Sequence, residues 1–191
     1  MSDELCRRAV EGLNRRGFEA VFVNTGAEAA DLVMRDAEGV ASVGWGGSET
    51  VKALGLREKL VAAGKEIRDH QLVMDLFLLS ANALTADGRI VNIDGNGNRV
   101  AASICGPRRV IYLIGRNKIV DGGIDAAIAR VKKFACPPNC RRLGKQTPCA
   151  LTGVCGDCDS PDRICKVTAV FDRKPTGVSA KVIVINEDLG Y

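Results

Sequence analysis

Two short, predominantly apolar runs constrain this chain most: VMDLFLLS at residues 73–80 and RRVIYLIG at 108–115. A strand that is covered on both faces carries such a run, whereas a strand with one wet face alternates. Other β-rich stretches are EAVFVN (19–24), GVASVG (39–44), RIVNI (89–93), KVTAVF (166–171) and KVIVIN (181–186). Between them lie helical patterns. Leu5, Val10 and Leu13 share a face of a first helix that ends near Gly17. Thr25 caps a second helix running through Met34. A third spans Ser48 to about Ala63, with an interruption at Gly55, and GIDAAIARVKKFA (123–135) is amphipathic. Alternating strands and helices predict an α/β fold with an open, mostly parallel sheet and flanking helices. From Cys136 to Cys165 periodicity fades into Cys, Pro and Gly. The economical reading is one α/β domain over residues 1–191, with 136–165 as a Cys-rich insertion.

The 191 residues suffice for a sizeable core, and with aromatics at 4% that core must rest on Val, Ile, Leu and Ala. A net charge of +4 suits a small anionic ligand. It argues against nucleic acid, which favours a basic stripe with stacking aromatics. No apolar stretch reaches the roughly 18 residues of a membrane span. The N-terminal stretch is charged and lacks the apolar block of a signal peptide, so the expected compartment is the cytoplasm, where thiols stay reduced. Oligomeric state is left open.

GWGGSET (44–50) has two readings. Gly46 and Gly47 would let the backbone turn sharply and approach a ligand, with Ser48, Thr50 and the N–H groups of the following helix as donors. Alternatively the glycines serve the turn and Ser48 only caps the helix. No nucleotide fingerprint is present, because Glu49 stands where G-x-G-x-x-G needs its last glycine.

The stretch 80–102 gathers Asn82, Thr85, Asn92, Asp94, Asn96, Asn98 and Arg99, with Gly95 and Gly97 bracketing a loop. Part of it reads as two turns around a short hairpin. Asn82 follows a buried strand, and Arg99 sits at a helix start, where it could clamp a carboxylate with two hydrogen bonds. Arg116, Asn117 and Lys118 leave another strand and could complete a cationic cleft. Internal ion pairs to Asp94 and Asp121 are the competing reading. His70, the one histidine, is expected to be structural or solvated, no catalytic triad is visible, and Cys105 is expected to be buried.

Cys149, Cys155, Cys158 and Cys165 follow the spacing C-x5-C-x2-C-x6-C. Clustered thiols in a reducing compartment point to metal: zinc or an iron–sulfur cluster. Packed thiols and disulfides are the alternatives, and Cys136 and Cys140 could add a ligand or only pack.

Taken together, VGWGGSET (43–50), SANALTADGRIVNIDGNGNRVAA (80–102), GPRRVIYLIGRNKIV (106–120), NCRRL (139–143), the cysteine motif and NEDLG (186–190) resemble the LUD-domain family of lactate-utilisation proteins. The resemblance covers nearly the whole chain. It implies a fold similar to the sugar-phosphate isomerase and CoA-transferase superfamily. It also implies a link to bacterial L-lactate oxidation, beside iron–sulfur oxidoreductase subunits. It supplies no catalytic residue. The ligand-binding expectation therefore rests on Gly46, Gly47, Ser48, Thr50, Asn82, Asp94, Gly95, Asn98, Arg99, Arg116 and Lys118, and the metal expectation on Cys149, Cys155, Cys158 and Cys165. The rival roles are a non-catalytic partner subunit and a transferase or isomerase.

Overall fold

The computed structural model describes residues 2–69 and 72–191; His70 lies outside them. The first half runs α1 (Ser2–Arg15), β1 (Glu19–Val23), α2 (Gly26–Asp36), β2 (Ser42–Trp45), α3 (Glu49–Ala53), α4 (Leu56–Ala62), β3 (Glu66–Ile67), β4 (Leu76–Leu79), β5 (Ala83–Thr85) and β6 (Ile90–Asp94). The second half runs α5 (Asn98–Ile104), β7 (Arg109–Gly115), β8 (Ile119–Val120), α6 (Ile124–Arg130), α7 (Cys136–Arg142), α8 (Pro148–Thr152), β9 (Val167–Phe171) and β10 (Ser179–Ile185).

Six strands form a parallel sheet in the order β1-β10-β7-β4-β2-β3. The centre is where the apolar runs fall. In β7, Val110, Tyr112 and Ile114 face one core while Ile111 and Leu113 face the other. In β10 and β4 the same alternation separates Val182 and Val184 from Ile183 and Ile185, and Phe77 and Leu79 from Leu76 and Leu78. Successive side chains point to opposite faces, so a strand buried on both must be apolar throughout. One core is covered by α1 through Cys6, Ala9 and Leu13, the other by α2, α3 and α4.

A second sheet, β8-β5-β6-β9, was not anticipated. Its β5–β6 hairpin turns at Asp87-Gly88, as expected, but β5 and β8 have only three and two residues. KVTAVF and KVIVIN part company here. The first pairs antiparallel with β6, the second runs parallel to β7.

Local signals explain several junctions. Thr25 caps α2, its side chain accepting from the Glu28 N–H at 3.2 Å. Gly55 adopts φ 60 and divides α3 from α4, which is the interruption expected there. α1 crosses the hairpin turn so closely that a Cβ on Gly12 would lie 2.4 Å from the Asp87 carbonyl carbon.

The cysteine-rich segment is more ordered than its composition suggests. A π-helical turn, Val131–Ala135, joins α6 to α7. Prolines fall in the first turn of α7 and again at the start of α8. At α8, after extended Thr147, the missing N–H has no intrahelical partner to lose and proline marks a helix start; at α7 the prolines instead follow directly on the π-turn, where the regular hydrogen-bond ladder is already interrupted.

Candidate functional site

A cavity of about 530 Å³ opens at the carboxyl ends of β2, β4 and β7, the usual ligand position in an open α/β sheet. The second sheet contributes Ile93, Asp94 and Gly95, and the π-turn and α7 contribute Val131, Ala135, Cys136, Asn139 and Arg142. Nine residues expected at a ligand line it: Gly46, Gly47, Ser48, Asn82, Asp94, Gly95, Asn98, Arg99 and Lys118. Thr50 stands behind the wall, holding Lys118 at 2.8 Å. Arg116 does not reach the cavity. It pairs with Asp188 at 2.8 Å on the surface, because β7 ends in a 3-10 turn that directs Arg116 and Lys118 apart.

The glycine loop bends at Gly47 before α3. Neither Gly46 nor Gly47 has a left-handed backbone, and a Cβ on either would meet only Arg99 or Arg142 at ordinary contact distance. Their smallness keeps the cavity wall low. Ser48 caps α3, accepting from the Val51 N–H at 3.3 Å.

Arg99 is committed to the protein itself. Its Nε and Nη2 donate to Asp94 at 2.9 and 2.5 Å, and Nη2 also donates to Asn82 Oδ1 at 2.7 Å. The other Asp94 oxygen accepts from the Val100 N–H at the start of α5. This is the internal ion pair weighed against the clamp. Arg99 locks the 94–99 loop onto Asn82 and has few donors left for a carboxylate. Buried Arg130 braces the same region, donating to the carbonyls of Asn82 and Asn117.

Lys118 is different. It is 4% exposed, and its Nζ contacts the hydroxyls of Thr50 at 2.8 Å and Ser80 at 2.9 Å. Among the described residues no carboxylate lies within ion-pair distance of it. Burial, then the charges of Arg130 and Arg99, push its ammonium down to about 7. At the outer part of the cavity stand Arg142 and Lys145, which the sequence reading did not single out. Arg142 lies 3.7 Å from Glu49, and Lys145 lies 3.9 Å from Asp162. The lining thus holds four basic side chains, Arg99, Lys118, Arg142 and Lys145, against two acidic ones, Glu49 and Asp94. The available signal for Arg142 was its place in NCRRL.

The cysteines assemble differently from the expected set. Cys149 Sγ lies 3.7 Å from Cys140 Sγ and 3.4 Å from the Thr147 hydroxyl, all buried. Burial pushes the Cys136 thiol up to about 12, and Cys165, Cys155, Cys140 and Cys149 are all close enough to add to the rise. Yet among the described residues no three Cys, His, Asp or Glu side chains converge to hold a metal ion. The donors as arranged do not fit a four-thiolate site on Cys149, Cys155, Cys158 and Cys165. No disulfide joins any of the eight cysteines, and Cys105, expected to be buried, is exposed at the end of α5.

The LUD domain profile matches residues 6–185. The chain belongs to the LUD-domain family. Its fold agrees. A DUF162 family protein from Deinococcus radiodurans, solved at 1.70 Å, superposes with a TM-score of 0.61 at 14% identity, over 97% of this chain and 98% of that one. DUF162 is the older name of the LUD domain. No curated protein matches the sequence. No helix of this LUD protein, among the described residues, is long and apolar enough to cross a membrane.

Proposed function

We propose that this LUD protein binds a small organic acid in the cleft at the strand ends, and that it serves organic-acid metabolism of the lactate-utilisation type. One observation carries the reading: a single cavity has twice as many basic as acidic side chains, and its most buried basic group, Lys118, has no counter-ion among the described residues. An excess of basic side chains favours an anion in the cavity, and no internal carboxylate among the described residues competes with a ligand for Lys118. Arg142 and Lys145, more exposed than Lys118, receive the carboxylate. Lys118, Ser80 and Asn82 face a second oxygen. Val131, Ala135, Leu143 and Ile164 form an apolar wall, so the cavity has room for a chain longer than that of lactate. Melting temperature measured with lactate, pyruvate and α-hydroxycaproate tests this. A rise that saturates with ligand and is lost in Arg142→Ala supports the reading. No rise with any of the three defeats it.

A second reading is favoured by the thiol cluster beside exposed Leu151 and Val154: a partner subunit docking through that segment. A metal there would have to draw further cysteines toward the Cys140–Cys149 pair. Metal analysis of anaerobically purified protein tests it, and metal-free protein would count against that role.

A further inference from the structure

We propose that Lys118 is a nucleophile that forms an imine with the carbonyl carbon of an α-oxo acid held in the cleft. This assignment, which rests on the organic-acid reading above, turns on how the amine is held. The Thr50 hydroxyl donates to the Leu189 carbonyl at 3.1 Å, and the Ser80 hydroxyl donates to the Ala81 carbonyl at 3.3 Å. Both hydroxyl protons are therefore spent, and each oxygen accepts from Lys118. A neutral amine has two N–H bonds and one lone pair. Thr50 and Ser80 take both N–H bonds. Gly190 packs against the same amine, since a Cβ there would lie 3.3 Å from Nζ. Lys118 also lines the cavity, which gives the lone pair an open side to face. An ammonium would leave its third N–H without an acceptor among the described residues in this buried place. Desolvation together with neighbouring cations is a recognised way to activate a lysine amine, and Arg99 and Arg130 are those cations here.

The step balances without an oxidant or reductant. The lone pair attacks the carbonyl carbon, forming C–N as the C–O π pair moves to oxygen. A proton passes from nitrogen to that oxygen, giving a carbinolamine. The nitrogen then loses its second proton as C=N forms and the oxygen departs as water. Arg142 and Lys145 hold the carboxylate meanwhile.

Pyruvate is incubated with the whole chain, reduced with sodium borohydride, and the product is mapped by mass spectrometry. One adduct is expected, on the peptide carrying Lys118, diminished by excess lactate and absent from Lys118→Arg. Because mapping of the unaltered protein locates the adduct, a poorly folding variant does not blunt the test. Adducts spread over surface lysines, or none at all, overturn the imine. If none forms while lactate still raises the melting temperature, the imine alone falls. If lactate, pyruvate and α-hydroxycaproate all leave the melting temperature unchanged as well, the organic-acid reading falls with it.

Discussion

Lys118 and Arg99 show how two cations in one cleft diverge. Arg99 meets a carboxylate, Asp94, and becomes scaffold; Lys118 meets only hydroxyls and keeps its chemistry. The depressed ammonium has a thermodynamic consequence. Unfolded, Lys118 loses its proton near its ordinary 10.5; folded, near about 7. Between those values the unfolded chain binds more protons, so stability rises with pH across that window, and below it the penalty is fully present. Urea unfolding as a function of pH should show that rise in the unaltered protein and a flattened profile in Lys118→Met. An equal slope in both would place the titration elsewhere.

At the scale of elements, the tightest junction lies where α1 crosses the hairpin between β5 and β6. Gly12 and Gly88 meet backbone to backbone; a Cβ on Gly88 would come 2.2 Å from the Gly12 carbonyl carbon. Neither backbone can yield as a flexible side chain would. Gly12→Ala should cost about 1–3 kcal/mol or more, as overpacking does. Gly39→Ala, where nothing lies within 4 Å, should be close to neutral. Denaturant melts of the two variants check the contrast, and equal stabilities would contradict the packing described. Gly95 makes a milder approach, letting the Ile164 backbone close one side of the cleft.

For the whole molecule, legibility follows burial and length. β4 and β7 were readable because both faces are covered, which keeps every position of β4 and the interior positions of β7 predominantly apolar. β3, β5 and β8 were not, because two or three residues carry no period. The glycine loop and the 80–99 stretch were recognisable as cleft wall, since their polar residues sit at strand ends. The opposite wall was hidden. Prolines and cysteines disguised α7, and Arg142 meets Glu49 only through the tertiary fold. No local pattern could tell that Arg99 would be consumed by Asp94 while Lys118 stayed unpaired. That outcome depends on which loops the two sheets bring together.

The account stands on the cleft taking an organic acid, and a crystal structure of the protein grown with α-hydroxycaproate tests that most directly. The account predicts the acid in the cavity, its carboxylate on Arg142 and Lys145, its hydroxyl beside Lys118 and its chain along Val131 and Ile164. An empty cavity at saturating ligand, or the acid bound only elsewhere on the surface, would contradict it.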